Sequence, residues 1–100
     1  MRFSCRYKRQ AKKDLENITL YITQNNPRRA LSFVDEIRAH CERVAQNPKA
    51  YALREEYGSG VRLTAHGNYL IFHTIATDAL VIERIIHAAR QRENIISKQK

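Results

Sequence analysis

Cysteine is scarce in this chain of 100 residues: Cys5 and Cys41 stand 36 positions apart, with no CxxC pair. That spacing supports neither a metal centre nor a cysteine nucleophile. Each thiol falls on the apolar phase of its segment, where it reads as a reduced, packed small hydrophobe. The four histidines have no ligand spacing to one another either, so no metal and no cofactor is expected. Long apolar runs are missing as well. No window approaches the ~18 apolar residues of a membrane span, so no membrane partner is expected. The basic N-terminus, Met1 to Gln10, is followed by no apolar run, so it does not read as a signal peptide. A cytoplasmic location is the expectation. Internal repeats, low-complexity tracts and a linker long enough to divide the chain are also lacking.

Acidic residues are in short supply. Eighteen lysines and arginines face 10 acidic residues, giving a formal charge of +8. Such a surplus points to an anionic partner: nucleic acid, an anionic membrane or an acidic protein. Hydrophobic residues make up 43% of the chain. At this length a chain buries about 60–70% of its unfolded surface, enough for one modest core. The expectation is a single domain over residues 1–100, with 91–100 a mobile basic tail.

Phe3, Cys5 and Tyr7 alternate with polar residues, the period of a strand with one buried face. The period then changes. Ala11, Leu15, Ile18 and Ile22 form one stripe of an amphipathic helix, with Lys12, Lys13, Asp14 and Glu16 on its wet side. Asn26 is placed to cap a second helix and Pro27 to open it. Ala30, Phe33, Val34, Ile37, Cys41 and Val44 follow in helical phase until Asn47-Pro48. So short a connection predicts an antiparallel helical hairpin. After Pro48 the period returns to two. A weak, edge-like segment through Tyr51, Leu53 and Glu55 precedes strands over Gly60–His66, Asn68–Ile75 and Leu80–His87. The second of these is the least polar and is expected at the centre of the sheet. The fold class is α+β: an N-terminal strand, the hairpin, then a three- or four-stranded antiparallel meander. The first strand is expected at an edge or beside the last strand. The hairpin would cover one sheet face, leaving the other face or its rim for a partner.

The last strand carries Arg84 and His87 and runs into Arg90 and Arg92. Arg62 lies within a strand, and Arg54 flanks it. Planar guanidinium groups suit phosphate or carboxylate bidentately, so Arg54, Arg62, Arg84, His87, Arg90 and Arg92 are the candidates for holding a target. If the chemistry is nucleolytic, Arg62, Arg84 and His87 are the catalytic candidates, pairing charge stabilisation with proton transfer. The simpler role for His87 is structural, hydrogen-bonded to backbone. Arg84 and His87 are three apart and point to opposite faces of an unbroken strand. A shared site therefore calls for a bulge, or for the strand to end near Ile86. His66 reads as a turn residue, His40 as mid-helix and His73 as a satisfied histidine of the central strand. A general nucleic-acid-binding module finds no aromatic stacking platform here.

Several of these segments resemble one family in order. Ala11-Lys12-Lys13-Asp14-Leu15-Glu16-Asn17-Ile18 with Tyr21-Ile22 resembles the first helix of the ParE/RelE toxin superfamily. Ala30, Phe33 and Ile37, then Pro48, Arg54-Glu55-Glu56, Gly60-Val61-Arg62, Asn68 to Phe72, and Arg84-Ile85-Ile86-His87-Ala88-Ala89-Arg90 continue the pattern. The resemblance spans nearly all of residues 2–95. It implies the toxin of a type II toxin–antitoxin pair, a helical hairpin on an antiparallel sheet, and a hetero-oligomer with a small, commonly acidic antitoxin. RelE-type members are ribosome-dependent, metal-independent mRNA endonucleases that often use a tyrosine shortly after the last strand. This chain has no tyrosine after Tyr69. Its His87-Ala88-Ala89-Arg90 ending resembles the His-Gly-Ala-Arg ending of ParE-type toxins, which act on DNA gyrase without catalysing a reaction. The resemblance thus implies gyrase as target, with ribosome-bound message as the alternative.

Overall fold

Alternation in the first residues becomes a strand, β1 (Ser4–Tyr7), whose inward residues Cys5 and Tyr7 pack against the main core. The computed structural model describes residues 3–89, so the expected tail at 91–100 and the candidates Arg90 and Arg92 lie outside the described residues. The helical periods give α1 (Arg9–Asn25) and α2 (Pro27–Gln46), joined by Asn26 alone. Asn26 does what its side chain suits: its Oδ1 accepts from the Arg29 N–H at 3.1 Å, with Pro27 at the first helical position. A connection of one residue forces the helices back along each other.

Four further strands follow: β2 (Ala52–Leu53), β3 (Arg62–His66), β4 (Tyr69–Ile75) and β5 (Ala79–His87). The sheet order is β1-β5-β4-β3-β2, with β1 parallel to β5 and the other pairs antiparallel. β4, the least polar strand, is central. β1 is both an edge strand and the neighbour of the last strand. The segment expected as an edge is shorter than its alternation suggested, because Glu55–Tyr57 turns into a short 3₁₀ helix.

The hairpin lays Ala11, Leu15, Phe33, Ile37, Cys41 and Val44 on Ile71, Leu80, Ile82 and Ile85. Full burial of each large aliphatic side chain contributes about 1.5–3 kcal/mol. The opposite face is not left open. Tyr57 and Val61 fold over Leu70, Phe72 and Ile86 as a second, smaller core, which covers part of that face and leaves Ala65 exposed.

Along β4–β5 the register passes from Phe72↔Arg84 to His73↔Ile82, leaving Glu83 without a partner. This bulge lets Ile82 and Ile85, three apart, both join the core beneath the helices. Glu83 is held by Lys8 Nζ at 2.8 Å and by the Thr74 hydroxyl at 2.8 Å. Both cysteines are free thiols, Cys41 buried and Cys5 half-buried. Burial pushes the Cys5 thiol up to about 12, so it is protonated and inert at neutral pH. Among the described residues no helix is long and apolar enough to cross a membrane.

Candidate functional site

β1 pairs with β5 only as far as Ile82. Beyond it no strand among the described residues pairs with that edge of β5, and its backbone donors need partners. Asp14, brought there by the first turns of α1, supplies one: its Oδ2 accepts from the Ile85 N–H at 3.0 Å. The same carboxylate takes the Arg84 guanidinium in a fork, Nε to Oδ2 at 2.7 Å and Nη2 to Oδ1 at 3.0 Å. Gln10 donates to Oδ1 as well, at 3.3 Å. Asp14 is therefore buried and fully engaged, not on the wet side of its helix. The helical phase carried the signal, since Ala11, Asp14, Leu15 and Ile18 fall at i, i+3, i+4 and i+7.

Beside this lock lies a cavity of about 470 Å³, lined among others by Asp14, Tyr21, Tyr69, Arg84, Ile85 and His87. Arg84 and His87 thus share a site, by a route other than the two expected. The bulge precedes Arg84, and β5 continues through His87. The cavity follows the free edge of β5, which side chains from both faces reach. His87 packs edge-on to the Tyr69 ring at 5.1 Å, and its Nδ1 accepts from the Ala89 N–H at 3.1 Å. That backbone bond is the structural role open to it. Tyr21 and Tyr69 come from α1 and β4, far from the stretch after the last strand where a tyrosine was sought.

The other candidates are not brought here. Arg62, on β3, donates to the backbone oxygen of Tyr51 at 2.7 Å and, more weakly, to that of Lys49 at 3.5 Å. This ties β3 to the chain leaving α2. Arg54 pairs with Glu56 at 2.7 Å and lies over the Tyr57 ring at 5.6 Å. Neither faces the cavity shared by Arg84 and His87.

A second constellation escaped the sequence altogether. His66 ends β3 instead of sitting in a turn, and its Nδ1 meets His40 Nδ1 of α2 at 3.0 Å. His66 Nε2 reaches Glu36 Oε1 at 3.2 Å, and His40 Nε2 reaches Thr64 Oγ1 at 3.1 Å. Glu36 also receives the Arg29 fork, at 2.8 and 3.1 Å. Contacts with Arg29 and His66 hold the Glu36 carboxyl below its usual range. Burial, then His66 and Arg43, lower His40. No local pattern announces a pair separated by 26 residues. His73 also departs from expectation: it is fully buried, and among the described residues neither ring nitrogen has a hydrogen-bond partner. Burial, with Arg62 and His40 nearby, pushes it down to about 4.

Comparison with known proteins is decisive at the family level. A model of the ParE toxin of type II toxin-antitoxin system, parDE, matches residues 5–92. The chain belongs to the ParE toxin family. A solved chain of the chromosomal ParDE TA system from P. aeruginosa shares the fold, with a TM-score of 0.74 at 23% identity. That match covers 85% of this chain and 95% of the other. A search of curated proteins gave no match. As a ParE family toxin, the protein has a cognate antitoxin for partner.

Proposed function

We propose that this toxin inhibits DNA gyrase by binding and is not itself a nuclease. The observation that carries the reading is the Arg84 fork on Asp14. A guanidinium already paired bidentately with a buried carboxylate, itself bonded to the Ile85 amide, fastens α1 to β5. Offering it to a phosphate would leave the carboxylate uncompensated. Arg62 is likewise spent on backbone carbonyls and His87 Nδ1 on an amide. The three nuclease candidates are thus engaged in holding the fold. The rim at the end of β5 remains the surface for the target, and the cytoplasm is where both gyrase and ribosomes would be met.

The antitoxin, in this reading, is acidic and docks on the helical hairpin. Leu20, Tyr21 and Leu31 expose 63%, 65% and 74% of their surface there, apolar side chains that a partner's apolar surface would cover. The formal charge of +8 supplies the attraction.

One observation favours the ribonuclease alternative. Tyr21, Tyr69 and His87 line one cavity, which places phenols and an imidazole together despite the missing C-terminal tyrosine. A paired assay separates the two. The toxin is incubated with gyrase and supercoiled DNA, and separately with translating ribosomes. Trapped DNA cleavage without message cutting is the expected result. Codon-specific mRNA cuts lost in His87→Gln, with no trapped cleavage, would reverse the assignment.

A further inference from the structure

Glu36, His66, His40 and Thr64 form an unbroken chain of polar contacts from α2 to β3 and back. The chemistry of its donors and acceptors restricts how many protons it holds. In the neutral state Glu36 accepts from His66 Nε2–H. That leaves a lone pair on His66 Nδ1, which accepts from His40 Nδ1–H. His40 Nε2 then accepts from the Thr64 hydroxyl. Every contact is satisfied, and the tautomers are fixed by the carboxylate at one end.

One added proton is accommodated without moving a heavy atom. His66 then carries both ring protons and donates to His40 Nδ1. His40 shifts its own proton to Nε2 and donates to the Thr64 oxygen. The new charge sits against Glu36. A second proton has no such place: both Nδ1 atoms would carry hydrogens, facing each other across 3.0 Å. Two imidazolium rings would also stand near Arg43 of α2, with His73 of β4 and its neighbour Arg62 of β3 on the side of His40, while Arg29 already holds Glu36.

We propose that these four residues are a proton-counting clasp between α2 and β3, which stays closed with up to one added proton and opens with two. Elsewhere α2 meets the sheet mainly at β1 and β5, so opening would free its middle from the far side of the sheet. α1 would stay in place, because the Asp14–Arg84 lock contains no histidine. A metal is the other guest that facing imidazoles suggest. Among the described residues, however, no group of three or more His, Cys, Asp or Glu could hold one.

The lowered His40 agrees in sign. The unfolded chain takes up that proton near the ordinary 6.5, and the closed clasp does so only at lower pH. The closed state is thus favoured fully above about pH 6.5 and progressively less as pH falls. Two measurements on the full chain test the proposal. Nitrogen-15 NMR of the imidazoles at pH 7.5 is expected to show Nδ1–H on His40 and Nε2–H on His66. Amide exchange at pH 7.5, 6 and 5, corrected for intrinsic rates, is expected to accelerate about tenfold more in residues 36–43 than in residues 11–18. His73 weakens the whole fold over the same range, so residues 11–18 serve as the reference for that common loss. In the His40→Gln/His66→Gln double variant the difference should vanish. Nε2–H tautomers on both rings at pH 7.5, or a difference that persists in the double variant, would overturn the clasp. Should that variant fail to fold, the tautomers of the unaltered protein decide alone.

Discussion

At the residue scale, two buried polar side chains behave in opposite ways. Asp14 has each carboxylate oxygen directed at two donors, joining α1 to β5. Asp14→Ala would leave the Arg84 guanidinium and the Ile85 amide without their acceptor. Loss of one partner of such a pair costs about 3–5 kcal/mol, toward the lower end here because Arg84 keeps some solvent contact. Urea unfolding should show it; a change under about 1 kcal/mol would mean that water replaces the carboxylate. His73 has no hydrogen-bond partner among the described residues, so its ring is an expense. His73→Leu keeps the volume and removes two unsatisfied nitrogens, and a gain of about 1–2 kcal/mol at pH 7.5 is expected. The pH response separates this from simple repacking. The unfolded chain binds the His73 proton near 6.5 and the folded chain only near about 4. Stability from this group is therefore complete above pH 6.5 and falls by about 1.4 kcal/mol per unit down toward pH 4. His73→Leu should lose that portion of the slope in urea melts taken between pH 7.5 and 5. An unchanged slope would show that His73 does not titrate in this window. The two were misread from sequence for different reasons. The charge of Asp14 outweighed a helical phase that points inward, whereas the imidazole of His73 gave no sign that its surroundings offer it no hydrogen bond.

At the scale of elements, the sequence was far more legible. Both helices, the hairpin and the last three strands follow from apolar period, and Asn26-Pro27 marks the joint. Asn26→Ala should cost about 1 kcal/mol by removing the acceptor for the Arg29 amide. Asn26→Ser should restore most of it, because serine can cap in the same geometry. Equal losses in the two variants, measured by thermal or urea unfolding, would place the effect in the connection and not in the cap. What period did not reveal is the bulge at Glu83, since an inserted residue leaves the flanking apolar residues in place while shifting their phase. Ile82 and Ile85 on one face are its trace, visible once the core is known. The free edge of β5 was illegible for a different reason. It depends on where the parallel β1 stops, and that strand is distant in sequence. The site along that edge, with Tyr21 and Tyr69, was hidden for the same cause.

At the scale of the whole molecule, ion pairing leaves the surplus of charge intact. Lys8, Arg29, Arg54 and Arg84 are matched by Glu83, Glu36, Glu56 and Asp14, one cation to one acid each. The formal +8 therefore remains for the surface and the solvent. Charge of this kind acts mainly on encounter, steering an oppositely charged partner before contact is made, while under the proposed docking the apolar side chains of the hairpin act after it. The two contributions separate by kinetics. Between about 50 mM and 500 mM salt the screening length shrinks from beyond 10 Å to a few ångströms. The association rate with an acidic antitoxin should then fall roughly tenfold or more, and the dissociation rate should change little, since Leu20, Tyr21 and Leu31 are indifferent to salt. Leu31→Ser should do the reverse, speeding dissociation with association nearly unchanged. Stopped-flow mixing of the toxin with the product of the adjacent gene reads both. A salt-independent association rate would remove electrostatic steering from the account. A Leu31→Ser variant that dissociates like the unaltered toxin would move the docking surface off the start of α2.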